Sequence, residues 1–241
     1  MHSYRVLVTG DRENWPEIQV GTPPCPVAWE AVSVLSYERL PVDSELLEQL
    51  ANKPKDWIVF ASPRAVAFWT ETLLEAGYEL PPETRVACIG QKTAEAAEQD
   101  GYTVDFCPRE PGTEGFLEGF ERHLSGGPSS FVLPAAEGGR STLRDRLRQL
   151  GHEVHSLALY RTQAAEDLSD RLHSIDWSAA QAIVFTSPSS AEAVLARVDL
   201  PQDLQVVALG SFTGGFLQRQ GFPRPKLLPD SDFARLGEVV S

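Results

Sequence analysis

The sequence predicts an α/β fold made of two similar domains, each with a mainly parallel sheet. Three observations carry this. The stretch DWIVFASPRAVAFW (Asp56–Trp69) recurs as QAIVFTSPSSAEAV (Gln181–Val194), 125 positions on: an apolar run, a Phe, a Ser-Pro, then a helix-forming segment. RVACIGQKTAEAAEQDGYTV, from Arg85, is followed in the same order by QVVALGSFTGGFLQRQGFPR, from Gln205, so that Gly90, Thr93 and Gly101 return as Gly210, Thr213 and Gly221 at an offset of 120. Shared order with slack in the loop is the mark of internal repetition. Strand-sized apolar runs also alternate with helical segments of about ten residues, which favours parallel sheets with crossover helices. One large sheet would leave the doubling unexplained.

The elements follow from local chemistry. YRVLVTGDRENW opens as a strand and then decays; GTPPCP (residues 21–26) cannot be helix interior, because proline lacks an amide proton and fixes φ, and a strand is expected over Val27–Ser36. The next buried strand ends at Phe60. Ser62 is placed to cap a helix and Pro63 to take its first position, where no amide proton is wasted. Val66, Trp69 and Leu73 then keep the core spacing. SSFVLPAAEGGRSTLRDRLRQLGHEVHSLALYRT reads as strand, loop, helix and strand, with Leu143, Leu147 and Leu150 at helical spacing and Gly151 as the stop. Ser187-Pro188 repeats the capped start, with Ala191, Val194 and Leu195 behind it.

Composition narrows the function. The 241-residue chain carries a formal net charge of −13 and a pI near 4.8, a field that disfavours nucleic acid and anionic membranes. No basic leader with an apolar run opens it, and no run nears the roughly 20 residues of a membrane helix. Cys25, Cys88 and Cys107 are odd in number and lack a C-x-x-C, so reduced thiols in a cytoplasmic protein are expected rather than disulfides or zinc. The histidines form no H-E-x-x-H, and with no G-x-G-x-x-G or G-K-[ST] neither a dinucleotide site nor a P-loop is expected.

In open parallel sheets ligands sit beyond the carboxyl ends of the strands. The two Ser-Pro turns, the Gly90 and Gly210 turns and the loop Ala135–Arg140 all fall there. Each precedes a helix start with unpaired amides and a positive dipole end, which together suit a polyanion. Arg64, Lys92 and Arg140 lie in or beside these turns, Arg12 follows the first strand, and Arg161 sits where the third strand-helix-strand unit ends. The plain reading of any single one is a helix cap or a solvated cation.

Taken together, VFTSPSSAEAV, VALGSFTGGFLQRQGF, FVLPAAEGGRSTLRDRLRQLGHEVHSLALYRT and VACIGQKTAEAAEQDGYTV resemble the uroporphyrinogen-III synthase family, over a span from about Trp57 to the C-terminus. The N-terminus departs: the family's Thr-Arg and helix are replaced by Thr9-Gly10-Asp11-Arg12 and the Pro-rich stretch. The resemblance implies two α/β domains joined by a two-stranded linker, with the active site in the cleft between them. It implies a discontinuous domain of residues 1–35 and 163–241, an inserted domain of residues 40–157, and linkers near 36–40 and 157–162. It further implies a cofactor-free, cytoplasmic, monomeric lyase. Such an enzyme takes linear hydroxymethylbilane, expels its hydroxyl, inverts ring D through a spiro intermediate and closes the macrocycle. Neighbouring pathway enzymes would be its further partners.

On this resemblance Tyr160, in the Tyr-Arg-Thr stretch, is the proton donor for the leaving hydroxyl, since a phenol can donate at neutral pH. Thr93 and Thr213 of the Gly-x-x-Thr turns bind substrate carboxylates. Ser62, Pro63 and Arg64, Gly90 and Lys92, Arg140, Arg12, Ser187, Ser189 and Gly210 complete the substrate-binding set. Two other readings stand beside it: a non-catalytic tetrapyrrole or small-anion binding module of the same shape, and an enzyme acting on a phosphorylated metabolite.

Overall fold

The computed structural model describes residues 4–10, 27–53, 55–110, 112–124, 127–139, 141–228 and 233–240. Arg12, Arg140 and the GTPPCP stretch lie outside the described residues. In chain order the elements are β1 (Tyr4–Thr9), β2 (Val27–Val32), β3 (Leu35–Arg39), α1 (Ser44–Asn52), β4 (Trp57–Phe60), α2 (Pro63–Ala76), β5 (Arg85–Cys88), α3 (Gln91–Gln99) and β6 (Val104–Phe106). There follow α4 (Thr113–Phe120), β7 (Ser130–Ala136), α5 (Thr142–Gln149), β8 (Glu153–Ala164), α6 (Leu168–Ser174), β9 (Ala182–Phe185) and α7 (Pro188–Leu195). The chain closes with β10 (Gln205–Leu209), α8 (Ser211–Arg219), β11 (Lys226–Leu228) and α9 (Leu236–Val240).

The elements fall into two units, residues 1–36 with 162–241 and residues 37–161. In the first, five strands run in the order β11-β10-β9-β1-β2, every neighbouring pair parallel. Strands buried on both faces need continuous apolar runs rather than alternation, and β9 is buried at all four positions. Leu7, Ile183 and Phe185 pack under α6, α7 and α8 through Leu168, Leu172, Val194 and Leu217. Val6, Val8, Val184 and Val207 face the other way, onto Leu236 and Val240 of α9.

The second unit holds the sheet β3-β8-β7-β4-β5-β6, parallel from β8 to β6. The amide of Ala165 donates to Val34 O and that of Leu40 to Leu159 O, so β3 runs against β8. Ile58 and Phe60 of β4 pack with Leu47 and Leu50 of α1, Val66 and Trp69 of α2 and Ala97 of α3. Trp57 and Val59, pointing oppositely, pack with Phe116 and Phe120 of α4 and Leu143 and Leu147 of α5.

Two expectations change. The strand expected over Val27–Ser36 is two strands, broken at Ser33 and Val34: β2 pairs with β1, while β3 joins β8. The break falls where the chain leaves one sheet for the other. Leu150 ends α5 as its C-cap and is 43% exposed, so its helical spacing runs one turn beyond the core.

Candidate functional site

Both Ser-Pro turns are built as the sequence suggests. The Ser62 hydroxyl accepts from the amide of Ala65 at 3.1 Å, and Pro63 opens α2. The Ser187 hydroxyl accepts from the amide of Ser190 at 3.1 Å, and the amide of Ser187 donates back to the Ser190 hydroxyl at 3.1 Å, a closed capping box. Their side-chain oxygens are therefore engaged with their own helices. Ser189 is exposed on the first turn of α7.

The Gly turns are different. The helix starts at Gly90 and Gly210 have no side-chain cap, since glycine has no side chain to turn back onto the first-turn amides. The two glycines are not equivalent in backbone. Gly90 has φ −173°, extended and open to any residue, whereas Gly210 has φ 83° and ψ 165°, a region held almost only by glycine. Gly210→Ala is expected to cost about 1–3 kcal/mol, read as a shift in urea midpoint, and Gly90→Ala to show no such backbone cost. Equal midpoints for Gly210→Ala and wild type would refute the strain.

Thr93 and Thr213 occupy matching places behind these glycines, and both are buried. Among the described residues neither hydroxyl makes a hydrogen bond, unlike Thr9 and Thr72, whose hydroxyls are bonded. In the first unit a polar network joins strand ends to helix start. The Thr9 hydroxyl lies 3.0 Å from the Ser190 hydroxyl, the amide of Thr186 donates to Thr9 Oγ1, and the Thr186 hydroxyl donates to Thr9 O at 2.6 Å. Ser190 and Thr9 were not legible as site-forming residues. The capping-box pattern calls for Glu or Gln at the third helical position, and Ser190 does the same work there.

In the second unit the ends of β4 and β7 border a hollow of about 270 Å³, lined among others by Val59, Ala61, Ala135, Gly138, Ser141 and Arg144. The start of α5 opens on it without a side-chain cap. The Ser141 hydroxyl, then Arg144 at 2.9 Å, hold the Asp145 carboxyl below its usual range. A larger hollow of about 750 Å³ lies at the opposite end of the sheet, walled by Tyr78, Pro82, Asp100, Tyr102 and Asp105. Helix C-termini and carboxylates meet there, the wrong polarity for an anion.

The cations divide sharply. Arg161 forks onto Glu137 at 2.5 and 3.0 Å, with Glu38 at 3.6 Å, and this pairing holds the Glu137 carboxyl low and the guanidinium high. Its charge is spent internally. Lys92 is exposed on the first turn of α3. The Arg64 guanidinium lies on the face of Tyr37, 3.3 Å from the ring centroid. Tyr160, within β8 and opposite Ala136 at the end of β7, is 6% exposed, its ring stacked on Phe68 at 4.7 Å and met edge-on by Tyr37 at 6.2 Å. Among the described residues its hydroxyl has no hydrogen-bond partner, so packing accounts for the ring and leaves the hydroxyl uncommitted. Among the described residues no cluster of metal-ligating side chains occurs, and no helix is long and apolar enough to cross a membrane.

The model of the HEM4 family, uroporphyrinogen-III synthase HemD, matches residues 30–227. A relative in Methanothermobacter thermautotrophicus, provisionally named a uroporphyrinogen-III synthase, is 26% identical over 192 residues, 74% of this chain and 75% of its own. The uroporphyrinogen-III synthase of Synechococcus elongatus is 27% identical over 135 residues, 54% of this chain and 48% of its own. In fold, the chain is similar to the Helicobacter pylori uroporphyrinogen-III synthetase, with a TM-score of 0.67 at 17% identity over 99% of this chain and 100% of that one. A mutant Thermus thermophilus uroporphyrinogen III synthase gives 0.62 at 16% identity, over 98% of this chain and 96% of that one.

Proposed function

The chain belongs to the HemD uroporphyrinogen-III synthase family, and we propose that it is a cyclising lyase. On this reading it converts linear hydroxymethylbilane to the type III macrocycle with inversion of ring D. The match across residues 30–227, which contains both Gly-x-x-Thr turns and the Tyr160 strand, carries the reading. We read the two units as the family's two domains, with substrate taken between them, in a cytoplasmic, monomeric enzyme.

The substrate bears eight carboxylates and the protein a net charge of −13, so long-range repulsion opposes binding. Local donors must supply it. The uncapped starts of α3, α5 and α8, the hydroxyls of Thr93 and Thr213 and the Arg64 guanidinium have the required polarity. Ser62 and Ser187 act through the amides they order, Gly90, Gly210, Lys92 and Ser189 belong to the same turns, and Arg12 and Arg140 complete the proposed substrate-binding set. Tyr160 donates a proton as the hydroxyl leaves. The cationic intermediate is then held so that the substituted carbon of ring D attacks, a gain of orientation rather than of added catalytic groups.

The test is product identity. Hydroxymethylbilane generated enzymatically and mixed with the protein is expected to close to the type III isomer, whereas spontaneous closure gives type I. Chromatography showing an unchanged type I fraction would end the enzyme reading and leave a binding module.

A further inference from the structure

We propose that Tyr37 is a positioning residue for this site: its ring holds the Arg64 guanidinium ready for a substrate carboxylate without consuming its N–H donors. The inference rests on the function proposed above and lies within the second unit.

Four side chains form a continuous stack. Phe68 lies on Tyr160 at 4.7 Å with the rings 15° apart, Tyr160 meets Tyr37 at 6.2 Å and 72°, and the Arg64 guanidinium covers Tyr37 at 3.3 Å. Arg64 and Phe68 are four residues apart on α2 and so share a helix face. The stack therefore begins and ends on one helix, with the rings from β3 and β8 between.

The neighbouring guanidiniums are held otherwise. Arg39 pairs with Glu71 and Glu75, Arg144 with Asp145, and Arg161 with Glu137. Among the described residues no carboxylate pairs with Arg64. A guanidinium flat on an aromatic face is attracted by the ring while its five N–H groups point outward in the guanidinium plane. Such a cation at the start of α2, beyond the end of β4, keeps both its charge and its fork geometry for an incoming carboxylate. A carboxylate partner would neutralise it, and an unsupported arginine would lose side-chain entropy on binding.

The test uses the full chain, Tyr37→Leu, Tyr37→Phe and Arg64→Gln. Affinity is measured for uroporphyrin III, a stable octacarboxylate, and KM and kcat for hydroxymethylbilane. Losing a cation–π contact of ordinary strength is expected to weaken porphyrin binding and raise KM about three- to tenfold in Tyr37→Leu, with kcat within about twofold. Tyr37→Phe, which keeps the ring face, is expected to bind like wild type. Adding Tyr37→Leu to Arg64→Gln is expected to cost nothing more, because the residue acts through Arg64. Wild-type binding by Tyr37→Leu, or the same loss repeated in the Arg64→Gln background, overturns the proposal. Should Tyr37→Leu fail to fold, the Arg64 Nε–H resonance of the wild type decides: an upfield ring-current shift is expected, and an unshifted resonance overturns the stack. A wild type that neither binds the porphyrin nor makes the type III product refutes the functional reading instead, which the resonance does not touch.

Discussion

Tyr160→Phe is expected to fold like wild type and to turn over about 10²-fold more slowly, the low end of what general acid assistance supplies. The substitution removes one oxygen. The ring keeps its stack on Phe68 and its edge contact with Tyr37. The backbone carbonyl of residue 160 keeps the amide of Glu137 at 2.7 Å. The lost hydroxyl has no hydrogen bond among the described residues, so its removal strands no partner and stability is expected to hold or rise slightly. The step affected is departure of the substrate hydroxyl, not the choice of attacking carbon, so the remaining product should stay mainly type III after correction for spontaneous closure. Water reaching the site can replace part of the donation, which sets the estimate at the low end. The measurements are single-turnover rate, isomer ratio and a thermal melt on one preparation. Undiminished turnover in a folded variant would return Tyr160 to a packing role.

What could be read from the sequence is what local chemistry decides. Ser62-Pro63 and Ser187-Pro188 are capped helix starts because a hydroxyl three residues ahead of an amide needs no long-range partner. Gly151 stops α5 at φ 87° for the same kind of reason. The repeated α/β pattern was also legible, since the apolar runs of β4 and β9 are buried at every position. Features set by tertiary pairing were not. The break at Ser33–Val34 depends on β2 pairing with β1 and on β3 pairing with β8, a strand more than a hundred residues further along the chain. The shared Gly-x-x-Thr motif hides two different backbones at Gly90 and Gly210. Tyr37 lies in an ordinary strand-like stretch, and nothing local says that Arg64 will cover it. Arg64, Lys92 and Arg161 look alike as letters, yet Arg161 is consumed by carboxylates that approach from β3 and the end of β7.

Helix α4 is an element that the sequence pattern left unmarked, and Phe120→Ala is expected to show how much it holds, at about 3–5 kcal/mol. Its sequence TEGFLEGF carries two glycines, poor helix formers, which mask the Phe116–Phe120 spacing. Gly115 is required by packing: a Cβ there would collide with the backbone oxygen of Glu110. Phe120 is 1% exposed and meets five rings, Trp57 and Phe116 at 4.7 Å, Phe106 at 5.2 Å, Phe131 at 5.9 Å and His123 at 6.3 Å. Truncation loses the transfer energy of the ring, leaves a cavity among rigid aromatics that cannot collapse into it, and removes edge and stacking terms of about 0.5–1.5 kcal/mol each. Against a typical domain stability of about 5–15 kcal/mol this is a large fraction. Urea unfolding followed by tryptophan fluorescence should show the midpoint fall, with Phe120→Leu retaining most of it because the volume is largely kept. The site should be spared while the protein is folded. Phe120 packs with Trp57 and Val59 on one face of the sheet, and Tyr160 with Ile58 and Phe60 on the other. Activity well below the melting point is therefore expected to stay near wild type. A loss under about 1 kcal/mol would mean that the aromatic cluster repacks and that α4 contributes little to the core.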